Sequence, residues 1–414
     1  MCDATGLQLR PVAGSGPVAV AISHDDTLMG VGTFEELSAL CGENTRILKL
    51  PDRLIMPALV NTHAHLDLTH LGPQPYTGDF IEWLSRITEL RLGGQTSECI
   101  AESVTEGLRL SHEQGVGYLG DIAGSVDAVL ARHEATMRLP GVSYFECFGV
   151  GHRQVDGYIA LLKALNHLPD SMNGFSLGIS PHAPYTAGLS LYLAVTRLAL
   201  DKGYALSTHL AESPAEIDFT RDLAGPFVDR RKQLNKWDDT LAPSGLHPID
   251  WLEPALRQKP WLIAHANITD PSHHRLLDAA QTSVAYCPRA SSYFGFPPQG
   301  EHPYKAMLQA GVNVCLGTDS ILCQPASDKV NQPHSILEQM RYLYQRDHTD
   351  PQLLLRMATV NGIQALGLPS NFATLKPGAP ARLIQVRFNP DDPLDVLTQV
   401  LTNTEHVSPV AELT

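Results

Sequence analysis

The sequence predicts an α/β protein, a (β/α)8 TIM barrel with a small flanking β-domain built from both chain ends. Short apolar runs bounded by Gly, Pro or Asn recur along the chain, and each is followed by an amphipathic segment of helix length. This alternation is typical of a parallel sheet covered by helices. The middle of the chain contains eight such runs, which is the number of strands that closes this barrel. Alternating stretches near both ends indicate antiparallel strands outside it.

Five of the eight predicted barrel strands end in histidine or aspartate side chains that can do chemistry. The strands are ALVNTH (58–63), VGYLGDI (116–122), VSYFECFG (142–149), FSLGISPH (175–182), YALSTH (204–209), PWLIAHA (260–266), SVAYCP (283–288) and VNVCLGTD (312–319). Five histidines and one aspartate stand at or just past their C-terminal ends: His63, His65, His182, His209, His265 and Asp319. Barrel enzymes build their active sites on that face. We therefore expect these six side chains to lie close together.

The two chain ends are expected to form the small β-domain. The stretches PVAVAIS (17–23), TRILKL (45–50) and GAPARLIQVRF (378–388) have the alternation of strands. The predicted domain limits are 1–56 and 367–414 for the two parts of the β-domain, and 57–366 for the barrel. The segment 213–259 is too long for a plain loop, and we expect it to contribute helices over the mouth of the barrel.

Composition narrows the class of protein. The chain has 414 residues, 43% of them hydrophobic, and a formal net charge of -14, which argues against a nucleic-acid or anionic-membrane partner. Its seven cysteines are scattered without C-x-x-C spacing, so no disulfide framework is expected. No stretch approaches the roughly 18–20 apolar residues that span a bilayer. We expect a cytoplasmic protein that acts on a small molecule, and a homodimer is compatible with these features.

The pair His63 and His65 indicates a metal site. Residues i and i+2 of a strand point to the same side, so both imidazoles face the barrel mouth. Imidazoles and a carboxylate together hold Zn²⁺ or Fe²⁺ while leaving a position for water. His209 and Asp319 are placed to complete such a set from the fifth and eighth strands. The alternatives are rim histidines that hydrogen-bond to backbone, and a turn aspartate that caps the next helix.

The segments MPALVNTHAHLDL, STHLAES, LIAHA and LGTDS resemble the metal-binding segments of the amidohydrolase superfamily. The resemblance covers about residues 50 to 388 and implies one divalent metal, Zn²⁺ first and Fe²⁺ as the alternative, on His63, His65, His209 and Asp319. It also implies that His265 hydrogen-bonds the reacting water. Binuclear members carry a carboxylated lysine on the fourth strand. Here SPHAPYT places His182 there, which implies a mononuclear, deaminase-like site in which His182 touches the substrate.

Glu212 points to the reaction. It follows His209 as H-x-x-E, which is similar to the motif of superfamily deaminases in which this glutamate shuttles protons. The resemblance implies that Glu212 protonates the ring nitrogen beside an amino-bearing carbon, while Asp319 and His265 orient and deprotonate the water. A first-turn glutamate favoured by a helix dipole is the alternative. The cytidine-deaminase fold needs P-C-x-x-C, which this sequence lacks.

Further residues suggest an adenine-like nucleoside as substrate. Asp67 in HLD is similar to the ribose-binding carboxylate of adenosine deaminases, although a solvated loop position explains it equally well. The segments PYTGDFIEWLSRI (75–87), with Trp83, and CPRASSYFGF (287–296), with Arg289, resemble substrate loops of a subgroup that includes the 6-aminodeoxyfutalosine deaminases of menaquinone biosynthesis. A core role for Trp83 and a rim ion pair for Arg289 remain open.

Two other classes of function compete with the deaminase. One is a sister hydrolase of the same superfamily that acts on a C–N or C–Cl bond of a guanine, cytosine or triazine type of substrate. The other is a non-catalytic barrel that only binds metal. The sequence also departs from the superfamily pattern at two positions: Ala266 stands where relatives often carry glycine, and Arg382 where an aspartate is usual.

Overall fold

A computed structural model describes residues 1–8, 17–324 and 334–410. The chain first forms β1 (Val18–Ile22), β2 (Leu28–Thr33), α1 (Phe34–Ser38) and β3 (Arg53–Pro57). The barrel strands follow as β4 (Leu59–Ala64), β5 (Val116–Ala123), β6 (Gly141–Cys147), β7 (Ser176–Pro181), β8 (Ala205–Leu210), β9 (Leu262–His265), β10 (Ser283–Tyr286) and β11 (Asn313–Leu316). Each coincides with one of the predicted runs.

The eight barrel strands pair in chain order and in parallel. A parallel bridge between Ala64 and Asp319 joins the last strand to the first. Beside it, the backbone N–H groups of Thr318 and Asp319 both donate to the carbonyl oxygen of His63 at 3.0 Å. The predicted (β/α)8 barrel is therefore confirmed. Because this closure runs through His63 and Asp319, it also sets two predicted site residues side by side.

Helices lie around the barrel and over its mouth. They are α2 (Phe80–Leu92), α3 (Ser97–Glu113), α4 (Val126–Glu134), α5 (Gln154–Leu165), α6 (Leu189–Lys202), α7 (Pro214–Asp222), α8 (Pro226–Gln233), α9 (Pro248–Leu256), α10 (Pro271–Ala279), α11 (Pro288–Phe294), α12 (Tyr304–Gln309), α13 (Ile336–Asp347), α14 (Pro351–Met357) and α15 (Val360–Ala365). Short 3-10 helices lie at Leu66–Leu71, Gly151–Arg153 and Ile321–Cys323. Within the described ranges, every helix is too short or too polar to traverse a lipid bilayer.

The flanking β-structure joins both chain ends, as predicted. The strand β12 (Leu383–Arg387) pairs antiparallel with β3 and with β13 (Ser408–Pro409), and the helix α16 (Val396–Thr402) lies between the last two strands in the chain. The strands β1 and β2 form a separate antiparallel pair. The domain limits at 56/57 and 366/367 stay a prediction.

One predicted strand is wrong. The stretch TRILKL (45–50) forms no strand, and its side chains Ile47 and Leu48 are 58% and 42% exposed. A strand needs a neighbour for its backbone and a core for its apolar face. This stretch has the alternation of a strand, but Ile47 and Leu48 face solvent, and its last residue, Leu50, packs against the flanking β-structure. The partner of β12 is instead the next segment, β3.

The insert 213–259 supplies the helices α7, α8 and α9, as predicted. On α8, the ring of Phe227 stacks on the ring of Tyr185 with centroids 3.9 Å apart. Tyr185 follows the C-terminal end of β7, so this contact places α8 over the mouth of the barrel. Tyr185 and Phe227 belong to one buried apolar cluster with Phe80, Trp83 and Phe294. The mouth is thus walled by aromatic side chains from three helices and from the loop after β7.

Candidate active site

His63, His65 and His209 form what we call the imidazole cluster. The ring of His63 lies 5.0 Å from that of His65 and 4.9 Å from that of His209, between centroids. The Nε2 atoms of His65 and His209 are 3.4 Å apart. Asp319 Oδ1 lies 3.4 Å from His65 Nε2 and 3.9 Å from His63 Nε2. The structure therefore brings together the four residues that the sequence predicts as metal ligands.

The chemistry of the imidazole cluster fits a divalent cation. Among the described residues, both ring nitrogens of His63 and Nδ1 of His65 are buried without a hydrogen-bond partner. Burial lowers the pKa of His63 and His65 well below the usual value, and that of His209 to about 4. Neutral imidazole is the form that binds metal. Buried nitrogens without partners are costly, and a metal would remove that cost.

Neighbouring groups orient His209 and Asp319. His209 Nδ1 donates to the carbonyl oxygen of His182 at 3.1 Å, which leaves Nε2 for the cluster. Asp319 accepts from the backbone N–H of Ser320 at 2.7 Å and from the Cys323 thiol at 3.3 Å. Burial raises the pKa of Asp319 to about 6. His209 thus has one ring nitrogen held by the protein and the other directed to the site. Both oxygens of Asp319 are held by the protein, and Oδ1 also faces the imidazole cluster.

Glu212 and His265 face each other beside Asp319. His265 Nε2 lies 3.6 Å from Glu212 Oε1, and both side chains are buried. One ligand atom from each of Glu212, His265 and Asp319 lies within 4.8 Å of the other two. Burial, with the negative charges of Asp319 and Glu216 added, raises the pKa of Glu212 well above its usual value. Burial therefore favours the protonated form of Glu212 and the neutral form of the imidazole of His265 beside it.

The chain around Glu212 holds it in place. Ser213 caps α7 and Pro214 occupies its first turn, so Glu212 precedes the helix and the alternative of a first-turn glutamate is wrong. The first turn instead contains Glu216, whose carboxylate accepts from the backbone N–H groups of Ala211 and Glu212 at 2.7 and 3.0 Å. The carbonyl oxygen of Glu212 accepts from Asn267 Nδ2 at 3.0 Å. The backbone of Glu212 is thus tied on both sides.

The backbone at the end of β9 is strained. His265 and Ala266 have φ values of 73° and 50°, in the left-handed region that favours glycine. Ala266 stands where relatives often carry glycine, and glycine would adopt this backbone conformation without strain. Residues in such conformations persist where their surroundings hold them, often at functional sites.

The four predicted substrate residues differ in their burial and in the groups that they contact. His182 Nδ1 contacts Thr186 Oγ1 at 2.7 Å, and its ring lies 5.0 Å from that of His209. Asp67 is buried rather than solvated, and burial raises its pKa to about 6. Trp83 is buried 4.8 Å from the ring of Phe294. Arg289 lies in the first turn of α11, where its backbone N–H donates to Gln339 Oε1 at 3.1 Å.

Two charged residues at the site were missed by the sequence reasoning. Glu146 lies in β6 with a side chain 1% exposed, and its Oε1 is 3.9 Å from His182 Nε2. Arg91, at the end of α2, lies 3.5 Å from Glu146 Oε2 and 3.5 Å from Asp67 Oδ2. Glu146 did have a signal, because it is the one charged residue of the predicted strand VSYFECFG. Arg91 lies in an ordinary amphipathic helix and had none.

The chain belongs to the amidohydrolase family. The model of that family matches residues 54–410. The aminodeoxyfutalosine deaminase of Deinococcus radiodurans is 31% identical over 332 residues, which cover 76% of this chain and 73% of that protein. A 5-methylthioadenosine/S-adenosylhomocysteine deaminase of Moorella thermoacetica is 27% identical over 393 residues, covering 91% of this chain and 82% of that one.

Solved structures share the fold. The aminofutalosine deaminase of Helicobacter pylori, in complex with methylthio-coformycin, superposes with a TM-score of 0.75 at 19% identity, covering 93% of this chain and 92% of that one. An adenosine deaminase of Xanthomonas campestris with bound zinc gives a TM-score of 0.70 at 19% identity, covering 95% and 88%. At 19% identity, the similarity to these structures is one of fold, namely the barrel and its flanking sheet.

Proposed function

We propose that this protein is a metal-dependent hydrolytic deaminase that converts an adenine-like nucleoside to its 6-oxo product and ammonia. It is thus a hydrolase of C–N bonds other than peptide bonds. One observation carries the proposal: a buried Glu212, 3.6 Å from His265, stands beside the imidazole cluster. Membership of the amidohydrolase family supports it, as do the two relatives named as deaminases.

The proposal includes one divalent metal held by His63, His65, His209 and Asp319. Such a metal lowers the pKa of its water to about 7 and so supplies hydroxide at neutral pH. Zn²⁺ is the first choice because an imidazole and carboxylate set suits it and because the Xanthomonas enzyme holds zinc. Fe²⁺ uses similar ligands, and metal analysis distinguishes the two.

The protein's own groups move the protons. A protonated Glu212 donates to the ring nitrogen beside the amino-bearing carbon, so that negative charge does not build on the ring when oxygen attacks. Asp319 and His265 orient the attacking water, and Asp319 accepts one of its protons. That proton then passes to the amino group, the C–N bond breaks and ammonia leaves, while the remaining hydroxyl proton returns to Glu212 and the 6-oxo product keeps the proton on its ring nitrogen. General acid and base groups need pKa values shifted toward neutrality, and burial shifts those of Glu212 and Asp319 in that direction.

The proposed substrate is 6-aminodeoxyfutalosine or a related adenosine derivative. His182, Asp67, Trp83 and Arg289 are the proposed substrate-binding residues. His182 lies next to His209, and Trp83 belongs to the aromatic wall of the mouth. Aromatic walls suit a flat purine or an aryl substituent. The relatives from Deinococcus and Moorella are named for deamination of nucleosides of this kind.

The test is ammonia release by metal-replete protein of measured metal content. The panel contains 6-aminodeoxyfutalosine, adenosine, S-adenosylhomocysteine, methylthioadenosine, guanine and cytosine. We expect ammonia from one or more of the four adenine nucleosides and about one metal per chain. Ammonia from none of the panel overturns the substrate class. Chloride release or ring opening from a triazine or cyclic amide, without ammonia, selects the sister hydrolase instead.

A further inference from the structure

A second buried glutamate lies behind Glu212, and the chemistry proposed above does not use it. Glu216 lies in the first turn of α7 and is 0% exposed. Among the described residues, its hydrogen bonds come from backbone groups, and no lysine or arginine acts on it. Burying a carboxylate without a cation is costly. The position of Glu216 therefore calls for a function that offsets this cost.

The carboxylate of Glu216 fills a turn of the backbone just before α7. Ala211 has a φ of 53°, and successive N–H groups in such a turn can converge on one anion. Glu216 Oε1 accepts from the N–H of Ala211 at 2.7 Å, and Oε2 accepts from the N–H of Glu212 at 3.0 Å. Each N–H therefore needs an acceptor oxygen of its own. A glutamine offers only one such oxygen, and its NH2 group would face an N–H donor.

The carbonyl side of Glu212 is held by a different strand end. Asn267 follows β9 and is 1% exposed. Its Nδ2 donates to the carbonyl oxygen of Glu212 at 3.0 Å, and its Oδ1 accepts from Ser291 Oγ at 2.8 Å. Both backbone groups of Glu212 are thus fixed, so that only the torsions of its own side chain remain free. That side chain lies 3.6 Å from His265 Nε2.

We propose that Glu216 is a positioning residue of the reaction, which holds Glu212 where it can exchange a proton with the substrate ring; this rests on the function proposed above. A proton donor must lie within about 3 Å of its acceptor. A displacement of about 1 Å can lower a rate about a hundredfold. Because the hydrogen bonds of Glu216 go to the backbone of Ala211 and Glu212, Glu216 acts through Glu212 rather than on the substrate.

The first measurement is the steady-state kinetics of Glu216→Gln on the adenine nucleoside from which wild-type protein releases ammonia fastest. We expect kcat to fall about 10- to 100-fold. The KM should stay within about twofold of wild type, because proton transfer occurs only in the transition state. Glu216→Asp keeps both acceptor oxygens on a shorter side chain and should recover part of the loss. The matched control is Asp222→Asn, which changes an exposed carboxylate of α7 that pairs with Arg221 at 2.8 Å.

A double-mutant cycle tests whether the effect passes through Glu212. In a Glu212→Gln background, Glu216→Gln should change kcat by less than about threefold, because residues that act as a unit are not additive. A purely structural role predicts the same fall in both backgrounds. Should Glu216→Gln not fold, Asn267→Ala loosens the other side of Glu212 and takes its place in the cycle. Metal content and thermal unfolding are measured on every sample.

The outcomes separate the two proposals. Absence of ammonia from wild-type protein overturns the deaminase and the role of Glu216 with it. Ammonia from wild type together with an unchanged kcat in Glu216→Gln overturns the role of Glu216 alone. An equal fall in both backgrounds, or a fall matched by an equal loss of metal, also overturns it, because Glu216 would then act on the fold or on His209. A fall in kcat confined to the background that retains Glu212, at wild-type metal content, supports the proposal.

Discussion

The imidazole cluster lies on the same face of the barrel as a charged cluster, which consists of Asp67, Arg91 and Glu146, but the two differ in charge and in hydrogen bonding. His63 and His65 are neutral and buried, with nitrogens that have no hydrogen-bond partner among the described residues. In the charged cluster, Arg91 already lies between its two carboxylates. The imidazole cluster therefore suits an electron-pair acceptor, whereas the two carboxylates of the charged cluster already share a cation. One face of the barrel thus carries a neutral cluster next to a charged one.

The largest expected effect comes from Asp319, whose Oδ1 lies 3.4 Å from His65 Nε2 and 3.9 Å from His63 Nε2. Asp319→Asn removes a negative ligand and the acceptor of the water proton, so we expect kcat/KM for ammonia release to fall by about 10³- to 10⁴-fold. Metal analysis of the same sample should show a lowered metal content. Asp201→Asn, on an exposed carboxylate of α6, is the control and should match wild type. Unchanged ammonia release in Asp319→Asn contradicts the mechanism.

Glu212→Gln is expected to separate proton transfer from metal binding. The amide retains the size of the side chain but cannot deliver a proton, so kcat should fall by about 10²- to 10³-fold. The metal content should stay at the wild-type level because Glu212 faces His265 rather than the imidazole cluster. The control is Glu253→Gln, on an exposed carboxylate of α9. Full activity in Glu212→Gln would mean that another group donates the proton.

Metal removal should lower the stability of the protein because it leaves the nitrogens of the imidazole cluster buried without a partner. A ligand present at a hundred times its Kd contributes about 2.7 kcal/mol to the free energy of unfolding. We therefore expect chelated protein to unfold at a lower temperature, and added Zn²⁺ to restore the transition. His209→Ala should be insensitive to the same additions. Equal unfolding temperatures with and without metal would mean that these histidines do not hold it.

Gly124→Ala tests the charged cluster alone. The added methyl would collide with the Arg91 guanidinium, so the carboxylates lose their shared partner, and we expect KM for a ribonucleoside to rise about tenfold with little change in kcat. The control is Gly42→Ala, since a Cβ there meets nothing within 4 Å. A KM that stays at the wild-type value means that the position of Arg91 is irrelevant to binding.

His302, which lies outside the two clusters, leads to a prediction about how the stability of the protein depends on pH. His302 Nε2 donates to the His265 carbonyl oxygen at 2.9 Å, and its Nδ1 accepts from the N–H of Tyr304 at 3.1 Å. Burial lowers the pKa of His302 to about 3. Because the unfolded chain takes up this proton near pH 6.5 and the folded protein does not, stability present above pH 6.5 is lost as pH falls toward 3.

For His302 alone, the loss by pH 5.5 amounts to about 1.4 kcal/mol. Urea unfolding between pH 8 and 4.5 should therefore give a shallower acid decline for His302→Gln than for wild type, whatever the change in absolute stability. His24→Gln, on an imidazole 97% exposed, should retain the wild-type slope. Identical slopes in all three proteins would show that the neutral state of His302 does not contribute.

The local sequence pattern was sufficient to predict the barrel strands and part of the site. Each barrel strand is buried on both faces and reads as a continuous apolar run, so all eight could be placed from the sequence. His63 and His65 share a face because a strand has a period of two. TRILKL shows the limit of this reasoning, because its alternation satisfies the local criterion while Ile47 and Leu48 find no core. Glu146 had a local signal, a lone charge in an apolar strand, that was not used.

By itself, the sequence determined the number of strands, the face that carries the chemistry and the identity of the residues in the imidazole cluster, because these follow from periodicities a few residues long. Only the tertiary structure decided that Arg91 lies between Asp67 and Glu146, that Gly124 leaves the room for it, and that Glu212 is held by Glu216 before its helix. Such contacts depend on loops and strand ends that come together only when the barrel closes. No local periodicity encodes contacts between residues so far apart in the chain.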